Sequence, residues 1–264
     1  MAVLGTTAGR TRFQRARVLF ALVMRELGAR SGASRWSYFW IITEPVGGII
    51  LLTAAFSIAL HKPPMGNNFA LFYATGVVPF SMYTAVANSV SGTLAANRGL
   101  LTYPVVTIVD TIVARWLVET LTHSLIALGL FTSIILYYDL ALLLRMEHIA
   151  IAFLAAAMLG LGIGTMNCVL YFYFPLWKNI WGMLNRPLFL LSGIMFTLES
   201  LPPQIGSWMW FNPLIHVVGQ ARKGFYGSYE GTYISLMFVF CLSLGLFLTG
   251  SFLILRNHAR MIQN

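Results

Sequence analysis

Residues 10–40 of the chain read RTRFQRARVLFALVMRELGARSGASRWSYFW, a basic stretch that runs straight into an apolar segment. Glu26 is its only acid, set against seven arginines: Arg10, Arg12, Arg15, Arg17, Arg25, Arg30 and Arg35. Apolar residues recur between these charges at helical spacing, namely Val18, Leu19, Leu22, Val23 and Leu27. A basic amphipathic helix of this kind lies in the membrane interface, with its arginines near anionic headgroups. The positive-inside rule therefore predicts that this stretch is cytoplasmic.

A signal peptide is the competing interpretation of this stretch, because arginines precede an apolar patch. Arg25 and Glu26 interrupt that patch, and no small-residue cleavage site comes before the next apolar run. The interfacial helix is therefore favoured.

The composition is that of an integral membrane protein. Of 264 residues, 58% are hydrophobic and 9% charged, whereas soluble domains carry about 25% charged residues. The net charge of +9 could indicate nucleic acid, but its concentration near the N-terminus favours a membrane surface. Cys168 and Cys241 fall inside apolar runs, so we expect core residues without a disulfide or metal role.

The apolar runs predict an all-α fold with six transmembrane helices, because a hydrocarbon core about 30 Å thick needs about 20 helical residues. The first four runs cover residues 36–60, 69–90, 105–138 and 148–174. Pro175, Lys178 and Arg186 mark a cytoplasmic turn, a fifth run continues to residue 198, and the last run covers residues 232–255. Residues 1–35 then form a cytoplasmic amphipathic segment, residues 36–255 the permease domain and residues 256–264 a cytoplasmic tail. The third run would be about 51 Å long, so its first turns, with Asp110 and Arg115, should project into the cytoplasm. Gly160 and Gly164 form a GxxxG pair that predicts close helix packing.

The distribution of lysine and arginine supports six spans with both termini inside. Thirteen lie on the predicted cytoplasmic side, namely the seven N-terminal arginines with Arg98, Arg115, Lys178, Arg186, Arg256 and Arg260. Four lie outside, namely Lys62, Arg145, Arg222 and Lys223. This asymmetry agrees with the positive-inside rule.

Residues 199–231 fit neither a span nor an aqueous loop. Prolines at positions 202, 203 and 213 prevent one continuous helix, yet the segment is strongly apolar. We predict two short helices that dip into the outer leaflet, with Asn212-Pro213 as the hinge and Arg222-Lys223 at the outer headgroups. The candidate outer gate comprises Trp208, Trp210, Asn212, Pro213 and His216.

The sequence carries no motif of a catalytic site. It has no Walker A, HExxH, GxSxG or CxxC pattern. His123 and Ser124 are adjacent, so they lie on different faces of a helix. We therefore predict no catalytic residue and no metal site.

Ionisable residues inside the spans allow two interpretations each. Arg115, Glu119 and His123 share one helical face and would form a proton relay or, as we favour, a structural ladder against a neighbouring helix. Glu44 lies about 12 Å along its helix from Trp36, so it either pairs with an arginine or faces a polar cavity.

Aromatic residues cluster at the cytoplasmic helix ends. Sugar rings could stack on them, although interfacial anchoring is the commoner role. The candidate substrate path comprises Trp36, Trp40, Glu44, Tyr171, Tyr173, Trp177 and Trp181.

Taken together, the chain resembles the membrane subunit of type-2 ATP-binding-cassette exporters, and within them the capsular polysaccharide export permeases. The resemblance rests on the RSGxSRW segment at residues 30–36, on Pro45, and on the FNPLxH stretch at residues 211–216 before the last helix. It covers essentially the whole chain.

The resemblance implies a homodimer with two copies of a cytoplasmic ATPase that uses ATP and Mg, while this chain binds no cofactor. It also implies a location in the bacterial inner membrane, a glycan path between the protomers and a periplasmic co-polymerase or export partner. Residues 97–107 would be the coupling helix, with Asn97, Arg98, Tyr103 and Pro104 as candidate ATPase contacts. Alternatives are export of O-antigen, teichoic acid or a drug, and proton-coupled secondary transport.

Overall fold

A computed structural model describes residues 12–32, 35–101 and 107–257, and the side chains of residues 17–29, 39–97 and 107–257. The described chain is all helical. Its elements are α1 (Arg12–Gly32), α2 (Arg35–Ala59), α3 (Phe69–Ser91), α4 (Thr93–Leu101), α5 (Ile108–Tyr137), α6 (Met146–Tyr173), α7 (Trp177–Leu191), a 3₁₀ turn (Leu198–Ser200), α8 (Pro203–Met209), α9 (Pro213–Phe225) and α10 (Leu236–Arg256).

Five helices in the described chain are long and apolar enough to cross a membrane: α2 from Phe39, α3, α5, α6 and α10. The predicted fifth span, which continues to residue 198 after a turn marked by Pro175, Lys178 and Arg186, is not a continuous helix. Its helix α7 has 15 residues, about 22 Å, which is shorter than the hydrocarbon core of about 30 Å. Gly193 then turns the chain in the left-handed region, at φ 78°.

Other predicted bounds shift by a few residues. The third span does not extend over 34 residues, because α5 begins after Thr107 and has 30. The hydroxyl of Thr107 accepts from the Asp110 N–H, and the Asp110 carboxylate accepts from the Thr107 N–H in return, which caps this start. α4 begins at Thr93, four residues before the start of the predicted coupling helix at residues 97–107. Residues 102–106, with Tyr103 and Pro104, lie outside the described residues.

α3 and α6 form the centre of the fold, and the glycines of α6 explain how they approach. A Cβ on Gly160 would lie 2.8 Å from Val86, and one on Gly164 would lie 2.8 Å from the Ala87 carbonyl. The close packing predicted for this glycine pair is therefore confirmed. The later glycine of α6 meets residues that come later in α3, so the two helices run parallel.

α10 also runs parallel to α6. Gly162 of α6 meets the Ser243 backbone, and Gly250 packs against Thr165. α10 thus starts at the end of the protein where α6 starts, so residues 174–235 carry the chain from one end of the fold back to the other.

The two ends of the fold hold different elements. The start of α6 lies beside α9, since the Arg145 N–H donates to the Gly224 carbonyl at 2.9 Å and Gln220 contacts His148 at 3.1 Å. We call this the α9 end. The opposite end, the α1/α4 end, carries α1 and α4 packed on the start of α5.

Candidate functional site

Polar side chains join α1, α4 and α5 at the α1/α4 end. Arg25 of α1 donates through two nitrogens to Oδ1 of Asn97, each at 3.1 Å. Glu26 lies 3.2 Å from Nε of Arg115 on α5, and Arg115 also donates to the Ser89 carbonyl at 3.0 Å. α1 is therefore anchored to α4 and α5 through charged or amide groups, and Arg115 links α5 in turn to α3.

This network corrects one predicted contact. Asn97 was expected to touch an ATPase, but its side chain is 2% exposed and donates to the Thr93 carbonyl while it accepts from Arg25. It holds α4 in place instead of presenting a contact. Arg98 lies in α4, and its side chain is outside the description.

The predicted ladder on α5 is linked to α1 through its first member, Arg115. Further along the same face, Nδ1 of His123 lies 3.5 Å from the Glu119 carboxylate and 3.1 Å from the Glu119 carbonyl. Both Glu119 and His123 are buried. This geometry agrees with the structural interpretation, in which the face packs against a neighbouring helix.

Some of the predicted substrate-path residues surround one cavity at the α1/α4 end. The cavity measures about 910 Å³ and is lined by Tyr171 of α6 and Trp181 of α7, among others. Trp177 lies beside it, with its ring 6.3 Å from that of Trp181 and its Nε1 donating to Oδ1 of Asn167 at 3.0 Å. Tyr173 is exposed.

The predicted α2 members do not line this cavity. Trp40 is 66% exposed, and Glu44 is also exposed, on a helix long and apolar enough to span. No ion pair is found for Glu44 among the described residues, so an arginine within them does not neutralise it. The side chain of Trp36 lies outside the description.

The candidate outer gate falls on α8, α9 and the hinge between them. The two predicted short helices are present, and Asn212 caps α9 by accepting from the Leu214 N–H at 3.1 Å. Pro213 is the first residue of α9. Nδ2 of Asn212 also donates to the Leu191 carbonyl at the end of α7, at 2.9 Å.

His216 is the centre of an aromatic cluster in this segment. It is fully buried, and its Nε2 donates to the Trp210 carbonyl at 2.8 Å while its Nδ1 accepts from the Ser235 N–H at 3.2 Å. Burial lowers the pKa of His216, which favours the neutral ring. Trp210 stacks on Phe238, with ring centroids 5.3 Å apart. Trp208, by contrast, is 81% exposed.

Arg222 does not lie at the headgroups as predicted. It is 1% exposed and donates to the carbonyls of Phe196 at 2.7 Å and Ile194 at 2.9 Å. Its guanidinium also lies 4.2 Å from the centre of the Phe72 ring, a cation–π distance. Burial lowers the pKa of Arg222 to about 10, so it remains charged at neutral pH. The prediction failed because the acceptors are backbone carbonyls 26 and 28 residues away.

Sequence reasoning also missed the cations of the cavity. Lys178 and Arg186 line it beside Asn185. In the sequence they serve only to assign the cytoplasmic side of the membrane. The available signal was their spacing on α7: Trp181 follows Lys178 by three residues, and Gly182 and Arg186 follow it by four and eight, which places them on one helical face.

Comparison with known proteins gives a consistent match. The profile of the ABC-2 type transporter family matches residues 17–226. The chain is 31% identical over 219 residues to the polysialic acid transport protein KpsM of Escherichia coli, covering 83% of this chain and 85% of the relative. It is 32% identical over 241 residues to the capsule polysaccharide export inner-membrane protein BexB of Haemophilus influenzae, covering 89% and 88%. It is 25% identical over 234 residues to the corresponding protein CtrC of Neisseria meningitidis, again covering 89% and 88%.

Proposed function

This chain belongs to the ABC-2 type transporter family, and from that membership we propose that it is the permease subunit of an ATP-driven exporter of capsular polysaccharide. The observation that carries the proposal is the similarity over 83% to 89% of this chain to proteins named for polysialic acid transport or capsule polysaccharide export. Those named for capsule export are inner-membrane proteins, and the five apolar helices fit a multi-pass protein of that membrane.

In the proposed topology the chain crosses the membrane six times. The parallel course of α6 and α10 supports this count, because the chain between them returns from one end of the fold to the other. α7 and the turn at residues 192–197 make that crossing, and the α9 end faces outward with α8 and α9 at the outer interface. The arginine-rich N-terminus favours a cytoplasmic α1/α4 end.

Two copies of the chain form the export path between them. Glu44 supports this arrangement, because an ionised carboxylate facing lipid in a span is costly. Glu44 is exposed on α2, and this cost is avoided if that face of α2 meets a polar path and the second protomer. α7, which has no buried residue, supplies the other wall near Tyr171 and Trp181.

The energy source is a separate cytoplasmic ATPase, present in two copies, which holds the ATP and Mg. α4 and the residues after it contact this subunit, while Arg25 and Glu26 connect α4 and α5 to α1. If so, Arg98→Glu reduces co-purification of the ATPase without reducing membrane insertion. Unchanged co-purification and ATP turnover would contradict this contact. A periplasmic export partner completes the proposed assembly.

Deletion of the gene and complementation test the proposed function. We expect the deletion strain to lose surface polysaccharide and accumulate it in the cytoplasm, and the wild-type gene to restore export. Loss of surface O-antigen or of drug resistance, with capsule unchanged, would assign the chain to another branch of exporters. Normal export of all these substrates would refute the proposal.

A further inference from the structure

α7 is attached to the core at both ends and stands apart between them. At its start, Nε1 of Trp177 donates to Oδ1 of Asn167 at 3.0 Å. Near its end, the rings of Phe189 and Phe80 meet edge to face, with centroids 5.2 Å apart. No residue of α7 is buried. The space between α7 and the α3, α4 and α6 walls is the cavity of about 910 Å³ described above.

The lining of this cavity is mostly apolar on one side and carries two cations on the other. In the wall opposite α7, the apolar Leu94, Cys168 and Phe172 outweigh a few polar side chains, those of Asn88, Ser91 and Tyr171. α7 brings the two cations, Lys178 and Arg186. No acidic residue is among the lining residues in the described part of the chain. Both cations are exposed, and neither has an ion pair within the described residues.

Two acids described at this end are already engaged, and Glu44, which has no ion pair among the described residues, does not line the cavity. Glu26 pairs with Arg115 at 3.2 Å, and the Asp110 carboxylate accepts from the N–H and the hydroxyl of Thr107. The positive charge of the cavity is therefore left for a molecule from outside the protomer. A molecule that matches this lining is anionic at one end and apolar at the other.

We propose that the cavity binds the phosphate headgroup of an anionic glycerophospholipid. Lys178 and Arg186 contact the phosphate, since ammonium and guanidinium groups donate to phosphate oxygens. The glycerol and the first acyl carbons pack on Phe172 and Leu94. The volume falls within the range of about 300–1,000 Å³ that is usual for small-molecule sites. A bare sugar chain suits the site less well, because much of the wall offers no hydrogen-bonding partner.

Two sources supply this chemistry, the bulk membrane lipid and a lipid carried at the end of the exported glycan. Only the second source rests on the proposed function. The site itself can be measured on the purified chain without an ATPase or a transport assay. Failure of lipid binding would therefore leave the export proposal standing, and failure of export would leave the site standing.

Binding of dioleoylphosphatidylglycerol to the delipidated protein in detergent, followed by native mass spectrometry, tests the site. We expect the double variant Lys178→Gln/Arg186→Gln to bind about tenfold more weakly, because each cation near an anionic lipid contributes a few-fold. The control Lys62→Gln/Lys223→Gln removes the same charge at the α9 end and should change the affinity by less than about twofold. Equal losses in the two double variants would overturn the site, since binding would then follow net charge alone.

A second pair of variants tests the cavity without changing charge. An added Cβ at Gly182 or at Gly245 meets no atom within 4 Å, so both positions accept a side chain. Only Gly182 lines the cavity. Gly182→Trp should weaken lipid binding several-fold and Gly245→Trp should not. Equal binding by both variants would contradict binding inside the cavity.

The choice of lipid completes the test. Dioleoylphosphatidylcholine should bind more weakly than the phosphatidylglycerol, because its headgroup has no net charge. Equal binding of the two, or full displacement of the lipid by an equal concentration of inorganic phosphate, would overturn the assignment.

Lipid-linked glycan extracted from producing cells separates the sources. If it displaces phosphatidylglycerol at a lower concentration than the lipid itself does, the site takes the substrate end. Weaker displacement supports a bulk-lipid site.

Discussion

Arg25 on α1 donates through both terminal guanidinium nitrogens to the single Oδ1 atom of Asn97 on α4, at 3.1 Å each. Asn97 in turn donates to the Thr93 carbonyl one turn earlier in α4. One buried amide therefore connects α1 to α4, the short helix that we propose to contact the ATPase.

The first prediction removes this amide. Asn97→Ala leaves the Arg25 guanidinium without its acceptor, and losing a hydrogen bond to a charged group costs about 1.5–3 kcal/mol. We expect a lower thermal unfolding midpoint in detergent. Asn179→Ala is the control, because Asn179 is exposed at the same end of the fold. Equal midpoints for the two variants would show that the link contributes nothing.

The second prediction concerns Arg222 and its neighbour Lys223. Arg222→Met removes the donors to the Ile194 and Phe196 carbonyls, and each buried carbonyl left unpaired costs about 1–3 kcal/mol. Lys223 is only partly buried, so Lys223→Met should stay within about 0.5 kcal/mol of the wild type. Chemical unfolding of the purified variants measures both. If Arg222→Met fails to fold, Arg222→Lys, which keeps the charge but loses the two-nitrogen fork, should give an intermediate stability. A wild-type stability for Arg222→Met would refute the role.

The sequence predicts the long helices well but not the end of α7, and Arg222 explains this difference. The long helices follow from apolar runs, so α2, α3 and α6 begin and end within a few residues of their predicted limits. The end of α7 does not, because the run of apolar residues continues past Ser192 and Gly193. The carbonyls freed at that turn are satisfied by Arg222, and no local pattern records so distant a donor.

The candidate site was predicted unevenly for the same reason. Tyr171 and Trp181 were selected by their aromatic character, and the fold brings them to one cavity. The position of Asn97 after the end of a span predicts a surface contact, yet α4 turns it inward onto Arg25. Its burial depends on a helix that packs from elsewhere in the chain, which spacing alone does not reveal.

The third prediction separates transport from stability at Glu44. Because no described residue pairs with this carboxylate, Glu44→Gln should leave the thermal midpoint within about 1 °C, since exposed substitutions have little effect on stability. Export of glycan should fall if the carboxylate faces the path. Glu230→Gln, exposed in the loop before α10, serves as the control and should export normally. A marked loss of stability in Glu44→Gln would instead indicate a structural ion pair.

The fourth prediction uses the lowered pKa of His216. Its folded pKa lies below the unfolded value of about 6.5, so the unfolded chain binds the proton more readily. The stability that His216 contributes is present above pH about 6.5 and is lost as the pH falls below it. The unfolding midpoint should therefore drop between pH 7.5 and 5.5, and less so in His216→Gln. His61→Gln, at an exposed position, should retain the full drop. Identical pH profiles for the two variants would exclude His216 as the cause.

The last prediction tests which face of the membrane each end occupies. Ser207 on α8 and Ser228 after α9 are both exposed, and Ala96 on α4 is exposed at the opposite end. Single cysteines at these positions should be introduced in a Cys241→Ser background, because Cys241 is exposed whereas Cys168 is buried. In the proposed topology, a membrane-impermeant maleimide added to intact spheroplasts labels Ser207→Cys and Ser228→Cys. It labels Ala96→Cys only after permeabilisation.

This pattern depends on the crossing made by α7. If α7 and its turn did not carry the chain across, the α9 end and the α1/α4 end would be reached from the same side. Ala96 is a better internal reporter than Asn97, whose burial would block the reagent even in open membranes. Labelling of Ser207→Cys and Ser228→Cys from the cytoplasmic side alone would therefore refute both the six crossings and the outer position of the gate.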